Sequence, residues 1–247
     1  MATPMLTDAN ISLTSLSNCN DNALPTATAT ATTTHTHPRI TTSQSEEYRH
    51  RLADVTSRAS LLDPLNIILQ QEKTGEPTPV TPDLLYKAAK GRIDVKVAAG
   101  SSVVEAGNFA AVACWEPPEA VPADLPDKHF EEIAKERPVF AKFVRDIQDA
   151  RLACLGKGQK FWLLSLMARD PERKDKGAVR AVIEPYVAKA KAERLPLWLV
   201  AGNPRARDVY AYFGFRVVQN ILSYPKDRKG WEEGVSTWCM VCNWPVE

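Results

Sequence analysis

The sequence lacks the features that would place the chain in a membrane, in an oxidising compartment or on nucleic acid. No apolar run in its 247 residues approaches the roughly 18 residues of a membrane-spanning helix. The formal net charge of +1 gives no electrostatic basis for binding nucleic acid or an acidic membrane. Five cysteines do not form the even, dense set of a disulfide framework. We therefore expect a soluble cytoplasmic protein with reduced thiols and neither of these partners.

The cysteine pair Cys239-Met-Val-Cys242 has the spacing of metal ligands, but no second such pair accompanies it. The segment alternates like a strand, in which residues three apart point to opposite faces. The sequence therefore predicts two buried thiols and no metal site.

The first 38 residues contain neither lysine nor arginine, and no basic segment precedes an apolar one. This composition argues against a secretory signal and against an arginine-rich presequence. Residues 1–40 are mainly Thr, Ala, Ser and Asn, which cannot bury enough apolar surface to offset their ordering entropy. We expect a disordered tail over 1–40 and one domain over 41–247.

Helical periodicity begins near Ser45, and Asp63-Pro64 signals the start of another helix. Thr81-Pro82 signals a third helix, which is expected to run to about Lys90. Residues 92–99 and 102–115 alternate as two strands around a turn. Residues 127–155 form a long amphipathic pattern that Pro138 divides into two helices.

The central stretch, 161–218, has the order strand, charged turn, helix, strand, short helix, strand. The first four elements form a βαβ unit, whose turn is a typical place for a phosphate. A helix that begins near Gly177 presents unpaired backbone N–H groups, and Arg173, Lys174, Lys176 and Arg180 add positive charge. A solvated charged turn is the alternative, because neither a Walker loop nor a GxGxxG fingerprint is present.

The segment from Asn203 through Ala206, Arg207 and Tyr210 to Gly214-Phe215 resembles the GNAT superfamily of acetyl-CoA-dependent acetyltransferases. The resemblance implies an α/β (α+β) fold: a mixed, mostly antiparallel sheet flanked by helices, with a splayed strand pair that binds acetyl-CoA. The charged turn then resembles the acetyl-CoA loop of that superfamily. Segments 111–119, 162–177, 184–185 and 237–240 resemble, more narrowly, the puromycin N-acetyltransferases.

Three positions of the loop depart from the family pattern. Lys174 stands at the usual Gln or Arg position, Asp175 follows it, and Val179 replaces the second small residue. We expect Val179 and Asp175 to weaken the binding of acetyl-CoA without abolishing it.

The resemblance also implies roles for individual residues. Tyr210 matches the residue that protonates the departing thiolate, although a core tyrosine is the alternative. Asn203 matches a residue that orients cofactor or water, and an ordinary Asn-Pro turn is the alternative. The residues expected to bind the cofactor are Met167, Arg169, Arg173, Lys174, Lys176, Gly177, Ala178, Val179, Arg180, Asn203 and Arg207.

The acceptor side is less well defined by the sequence. Glu116 could relay a proton as a base, or it could be a solvated carboxylate beside a proline turn. Trp115 and Trp162 could line the acceptor pocket or belong to the core.

The expected reaction transfers acetyl from acetyl-CoA to an amine of a small molecule, by direct attack in a ternary complex. Acetylation of a hydroxyl or of a protein lysine, and a non-catalytic acyl-CoA-binding module, are the alternatives. A monomer and a homodimer are both compatible with the sequence.

Overall fold

The computed structural model describes residues 38–75, 79–225 and 231–246. The helices among them are α1 (Glu46–Ala59), α2 (Pro64–Thr74), α3 (Pro82–Ala98), α4 (Asp127–Glu136), α5 (Pro138–Leu155), α6 (Ala178–Ala192) and α7 (Pro204–Tyr212). The strands are β1 (Ile40–Ser43), β2 (Ser102–Ala106), β3 (Ala111–Glu116), β4 (Trp162–Arg169), β5 (Leu197–Ala201), β6 (Arg216–Ser223) and β7 (Val235–Cys242).

One seven-stranded sheet has the order β1-β2-β3-β4-β5-β7-β6. Its neighbours pair antiparallel except β4 and β5, which are parallel because α6 crosses over between them. The mixed, mostly antiparallel sheet flanked by helices is confirmed, and so is the central βαβ unit.

Local sequence signals explain where several helices begin. The Asp63 side chain accepts hydrogen bonds from the amides of Leu65 and Asn66, and the Thr81 hydroxyl accepts one from Leu84. Pro138 begins α5 after a break at residue 137, as predicted.

The strand predicted for 92–99 is wrong, because α3 continues to Ala98. Ile93 is fully buried whereas Val95 is 46% exposed, so these alternating apolar residues do not share a buried face. Leu85, Ala89 and Ile93 form the buried face of α3 at helical spacing.

The tail predicted for 1–40 lies, up to residue 37, outside the described residues. Ile40 already begins β1, which pairs with β2, so the predicted boundary falls inside a strand. We made no prediction of this strand.

The sheet has two covered faces. On the α6 face, Leu164, Leu199 and Met240 pack with residues of α6 and α7. On the opposite face, Leu163 and Trp198 pack with α2 and α5, and α1 and α3 cover its other half. We call the part beneath α5 the α5 face.

Cys239 packs on the α5 face and Cys242 on the α6 face, which confirms that they point to opposite sides of the strand. Burial raises the pKa of the Cys239 thiol to about 12. No cluster of three or more His, Cys, Asp or Glu side chains able to hold a metal occurs among the described residues. None of the helices in those ranges has the length and hydropathy needed to cross a membrane.

Candidate acyl-CoA site

The parallel strands β4 and β5 separate after a short paired segment. Trp162–Leu164 of β4 pair with Leu197–Leu199 of β5, whereas β4 continues to Arg169. Against β3, Trp115 pairs with Leu164 and Cys114 with Leu166, so Ser165 is an extra residue on β4. Such a bulge bends its strand, and it lies where β4 leaves β5. The splayed pair therefore exposes backbone groups of β4 to a ligand.

The far end of β4 opens into a cleft of about 390 Å³ beside the start of α6. Gly177 caps α6 with a φ of 79°, a left-handed conformation that favours glycine, and no side chain caps this helix start. The first amides of α6 are therefore available to an anion. The cleft is lined by Arg169, Lys174, Asp175, Lys176, Gly177, Val179, Arg180, Arg205, Val209, Tyr212 and Phe213. Five basic side chains against one acidic side chain fit a diphosphate.

The acidic residue of the cleft is neutralised from within the loop. Arg173 donates to both carboxylate oxygens of Asp175, at 2.7 and 3.0 Å, and also to the carbonyl of Asn108 at 2.7 Å. Arg173 is thus engaged in holding the loop and does not line the cleft. Lys174 and Lys176 form no ion pair with a described residue, and both line it.

Val179 lines the cleft and also packs against the core of the α6 face. Ala178 is buried in that core and does not line the cleft. Arg180 donates to the Tyr212 hydroxyl and lies 3.5 Å from Glu184. The structure therefore brings together the loop residues that the sequence grouped, apart from Arg173 and Ala178.

Tyr210 is fully buried in the core of the α6 face, where its ring lies edge-on to Phe215 at 5.9 Å. It does not line the cleft. Tyr212, two residues further along the chain, is 68% exposed and does line it. The role predicted for Tyr210 therefore requires access to its hydroxyl from within the splay, beside Met167, which is fully buried in the same core.

Two residues of the α7 segment have other contacts than those predicted. The Asn203 side chain accepts from the amide of Ala206 at 2.9 Å and so caps α7. Arg207 pairs with Asp208 and lies over the ring of Trp238 at 5.1 Å, away from the cleft. Arg205 lines the cleft instead. Arg205, Val209 and Tyr212 recur at helical spacing on one side of α7, a signal that the sequence contained.

Glu116 is almost completely buried, not solvated. One of its carboxylate oxygens accepts from Lys96 Nζ at 2.6 Å, and the other, Oε2, has no partner among the described residues. Glu116 pairs opposite Leu163, so the two side chains leave the sheet on the same face. Burial, reinforced by the Glu116 carboxylate, raises the pKa of nearby Cys114 to about 12.

Trp115 and Trp162 belong to the core of the α6 face. Trp115 stacks on Tyr186 at 4.5 Å and donates to the carbonyl of Val182 at 3.0 Å. Trp162 donates to Glu193 at 2.6 Å. Both indoles thus hold α6 on the sheet, and neither lines the cleft.

A second cavity lies on the α5 face and was not predicted. It has a volume of about 90 Å³ and is lined by Val121, Pro122, Ala123, Leu125, Val144, Ile147, Gln148, Arg151, Phe161, Leu163, Trp198 and Val200. Leu163 and Val200 flank the point where β4 and β5 separate. The cavity therefore lies behind the splay, across the sheet from the cores of α6 and α7.

No family model matches the chain. Uncharacterized protein YDR391C of Saccharomyces cerevisiae is 32% identical over 119 residues, 46% of this chain and 46% of the relative. Increased recombination centers protein 11 of the same yeast is 32% identical over 75 residues, 30% of this chain and 48% of the relative. The chain thus spans about half the length of the curated relatives it matches.

Three solved structures are similar in fold. A histone acetyltransferase HPA2 and related acetyltransferase from Corynebacterium glutamicum has a TM-score of 0.50 and 17% identity, covering 83% of this chain and 95% of that chain. An agmatine N-acetyltransferase in its apo form has a TM-score of 0.53 and 13% identity, covering 82% and 98%. The C-terminal condensation domain of Ebony, in complex with beta-alanyl-dopamine, has a TM-score of 0.51 and 15% identity, covering 83% and 98%. The chain has the fold of the GNAT acetyltransferases.

Proposed function

We propose that the protein transfers an acetyl group from acetyl-CoA to an amine of a small molecule, within a ternary complex. The observation that carries this proposal is the splay of β4 from β5, which leads into a basic cleft at a helix start that no side chain caps. The amides of α6 with Lys174 and Lys176 would bind the diphosphate. The free edge of β4 between Ser165 and Arg169 would bind the pantetheine arm.

The reaction forms a C–N bond and breaks a C–S bond. The amine nitrogen attacks the thioester carbonyl carbon, loses a proton to a base, and the thiolate leaves. Tyr210 is the proposed proton donor to sulfur, because a phenol is a competent donor at neutral pH and Tyr210 lies in the core next to the splay. Asn203 would position α7, and thereby Tyr210, through its cap.

The acetyltransferases among the structural neighbours support acetyl transfer, and the agmatine enzyme supports an amine acceptor. The sequence resemblance to puromycin N-acetyltransferases makes puromycin one acceptor to test. A non-catalytic acyl-CoA-binding module is the second candidate, favoured by the burial of Tyr210 and by Val179 in the cleft.

The first test is calorimetric titration of the full chain with acetyl-CoA. Lys174→Ala/Lys176→Ala should weaken binding at least tenfold, because each charge-assisted phosphate contact contributes about 1.5–3 kcal/mol. The matched control is Lys128→Ala/Lys135→Ala on α4, which removes two exposed lysines outside the cleft. Equal affinity in the two double variants, or no binding to the unaltered chain, would refute the cleft as the diphosphate site.

The second test separates catalysis from binding. Tyr210→Phe should lower kcat by about 100-fold or more with an unchanged Kd for acetyl-CoA, as expected for loss of a general acid. Tyr186→Phe, which alters a tyrosine stacked on Trp115, is the control and should leave kcat unchanged. Unchanged turnover in Tyr210→Phe removes Tyr210 as the acid. Binding without thiol release from any amine favours the non-catalytic module.

A further inference from the structure

We propose that the cavity on the α5 face receives the apolar group of the acceptor, and that the acceptor is a primary amine with one aromatic or aliphatic group and no second positive charge. This inference rests on the proposed function, because it names the acceptor class of the same reaction. It assigns a ligand to a cavity that the cofactor cleft does not include.

The cavity lies directly behind the point where β4 and β5 separate. Leu163 and Val200 line it and immediately flank Leu164 and Leu199, the last paired residues of β4 and β5. Successive residues of a strand point to opposite faces, so Leu164 and Leu199 face α6 whereas the cavity residues face α5. A group held in the cavity therefore lies against the strands where they begin to separate.

The lining of the cavity is mostly apolar. Ten of its twelve residues are apolar, all except Gln148 and Arg151. They belong to α5, to β4 with the residue before it, to β5 and to the segment before α4: Val121, Pro122, Ala123, Leu125, Val144, Ile147, Phe161, Leu163, Trp198 and Val200. A volume of about 90 Å³ with such walls suits one ring or a short alkyl chain, since apolar sites bind by excluding water. Trp198 Nε1 is buried with no partner among the described residues, which leaves a donor beside this lining.

The positive charge in the lining disfavours an acceptor that carries more than one positive charge. Arg151 is the one charged side chain among the described residues of the lining, and it is positive. It donates to Asp124 and lies over the ring of Phe161 at 5.2 Å, so the neighbouring acid is already paired. A second ammonium or guanidinium group on the acceptor would approach Arg151, and no acidic side chain among the described lining residues would offset that repulsion.

The wall before α4 is fixed to α5 by paired hydrogen bonds. Gln148 accepts from the amide of Leu125 at 2.7 Å and donates to its carbonyl at 3.0 Å. Together with the Arg151–Asp124 contact, these bonds hold the wall in place, so the cavity selects by shape.

The polar end of the acceptor has a partner on the same face. Glu116 lies opposite Leu163. Its Oε1 pairs with Lys96, whereas its Oε2 has no partner within the part of the chain that the structure describes. A single amine can donate to this oxygen, and Lys96 balances the carboxylate so that no excess negative charge draws a dication.

The test uses saturation-transfer NMR and thiol release with the full chain, 2-phenylethylamine as the apolar amine and agmatine as the dication. Val144→Phe should fill the cavity, abolish saturation transfer to 2-phenylethylamine and raise its KM at least tenfold, with an unchanged Kd for acetyl-CoA. Val217→Phe is the matched control: it adds the same bulk on exposed β6, outside the cavity, and should behave as the unaltered chain.

Three results overturn the inference: agmatine is preferred over 2-phenylethylamine, Val144→Phe leaves both readouts unchanged, or 2-phenylethylamine receives no saturation. The proposed function fails separately if acetyl-CoA does not bind. In that case the NMR comparison between Val144→Phe and Val217→Phe still decides whether the cavity takes an apolar amine.

Discussion

At the scale of single residues, Lys96 and Glu116 form an ion pair in which the side chains are only 2% and 1% exposed. Burying two charges costs several kcal/mol each, which their attraction offsets only when the geometry is good. Lys96 reaches Glu116 because residues 92–98 are helical. In the strand predicted for 92–99, the Lys96 side chain would have had different neighbours. The pair therefore ties the last turn of α3 to the end of β3.

A double-mutant cycle separates the structural role of this pair from catalysis. Lys96→Met and Glu116→Leu should each lower the free energy of unfolding by about 3–5 kcal/mol, because each leaves an uncompensated buried charge. The double variant should recover most of that loss, since two apolar side chains fill the same space. Urea denaturation with a constant m-value measures all three.

The contrary result is a double variant as unstable as either single one, which would mean that the pair is not the source of the loss. The turnover number of the double variant then tests whether Glu116 acts as the base that accepts the proton of the amine. A folded double variant with unchanged kcat would remove Glu116 as a proton relay, whereas a fall in kcat with the fold intact supports that role.

At the scale of elements, the sequence predicted the βαβ unit well because each of its parts has a local signal. β5 is apolar throughout and β4 nearly so, with Ser165 as the polar residue within its run. The turn is charged, and Gly177 provides the left-handed residue that precedes α6. Parallel pairing follows from the crossover helix. These signals are all contained within one segment of chain.

Other elements depend on partners that local sequence does not identify. Residues 92–98 are helical because Ile93 is buried with Ala89 against α1 and the sheet, which overrides the period-two pattern of Ile93, Val95 and Val97. The bulge at Ser165 is a property of the register between β3 and β4, so no single strand shows it.

The same distinction applies to the site. The basic loop was predictable from composition and from Gly177, whereas the ion pair that commits Arg173 to Asp175 depends on how the loop folds. Tyr210 and Tyr212 differ by two positions on a helix, and packing decides which is buried. The cavity on the α5 face combines four separate segments of chain, so sequence periodicity could not reveal it.

At the scale of the whole molecule, Arg58 at the end of α1 connects that helix to the end of β4, beside the basic cleft. Its guanidinium donates to both oxygens of Asp170, at 3.0 Å each, and Asp170 directly follows β4. The two residues are 112 positions apart, so this contact exists only in the folded chain.

The Arg58–Asp170 contact makes the stability of the molecule depend on pH in a defined direction. The hydrogen bonds from Arg58 lower the pKa of Asp170 below its ordinary value near 4. A carboxyl with a lowered folded pKa stabilises the fold fully above its unfolded pKa, and that contribution disappears as pH falls through the folded pKa.

Asp170→Asn should therefore cost about 1–2 kcal/mol at pH 7, and the difference from the unaltered chain should shrink steadily below about pH 4. Urea unfolding from pH 7 to pH 3 measures the difference, with Asp149→Asn on the exposed side of α5 as the control that should show none. A cost that stays constant down to pH 3 would mean that side-chain packing, not the charge of Asp170, links α1 to the end of β4.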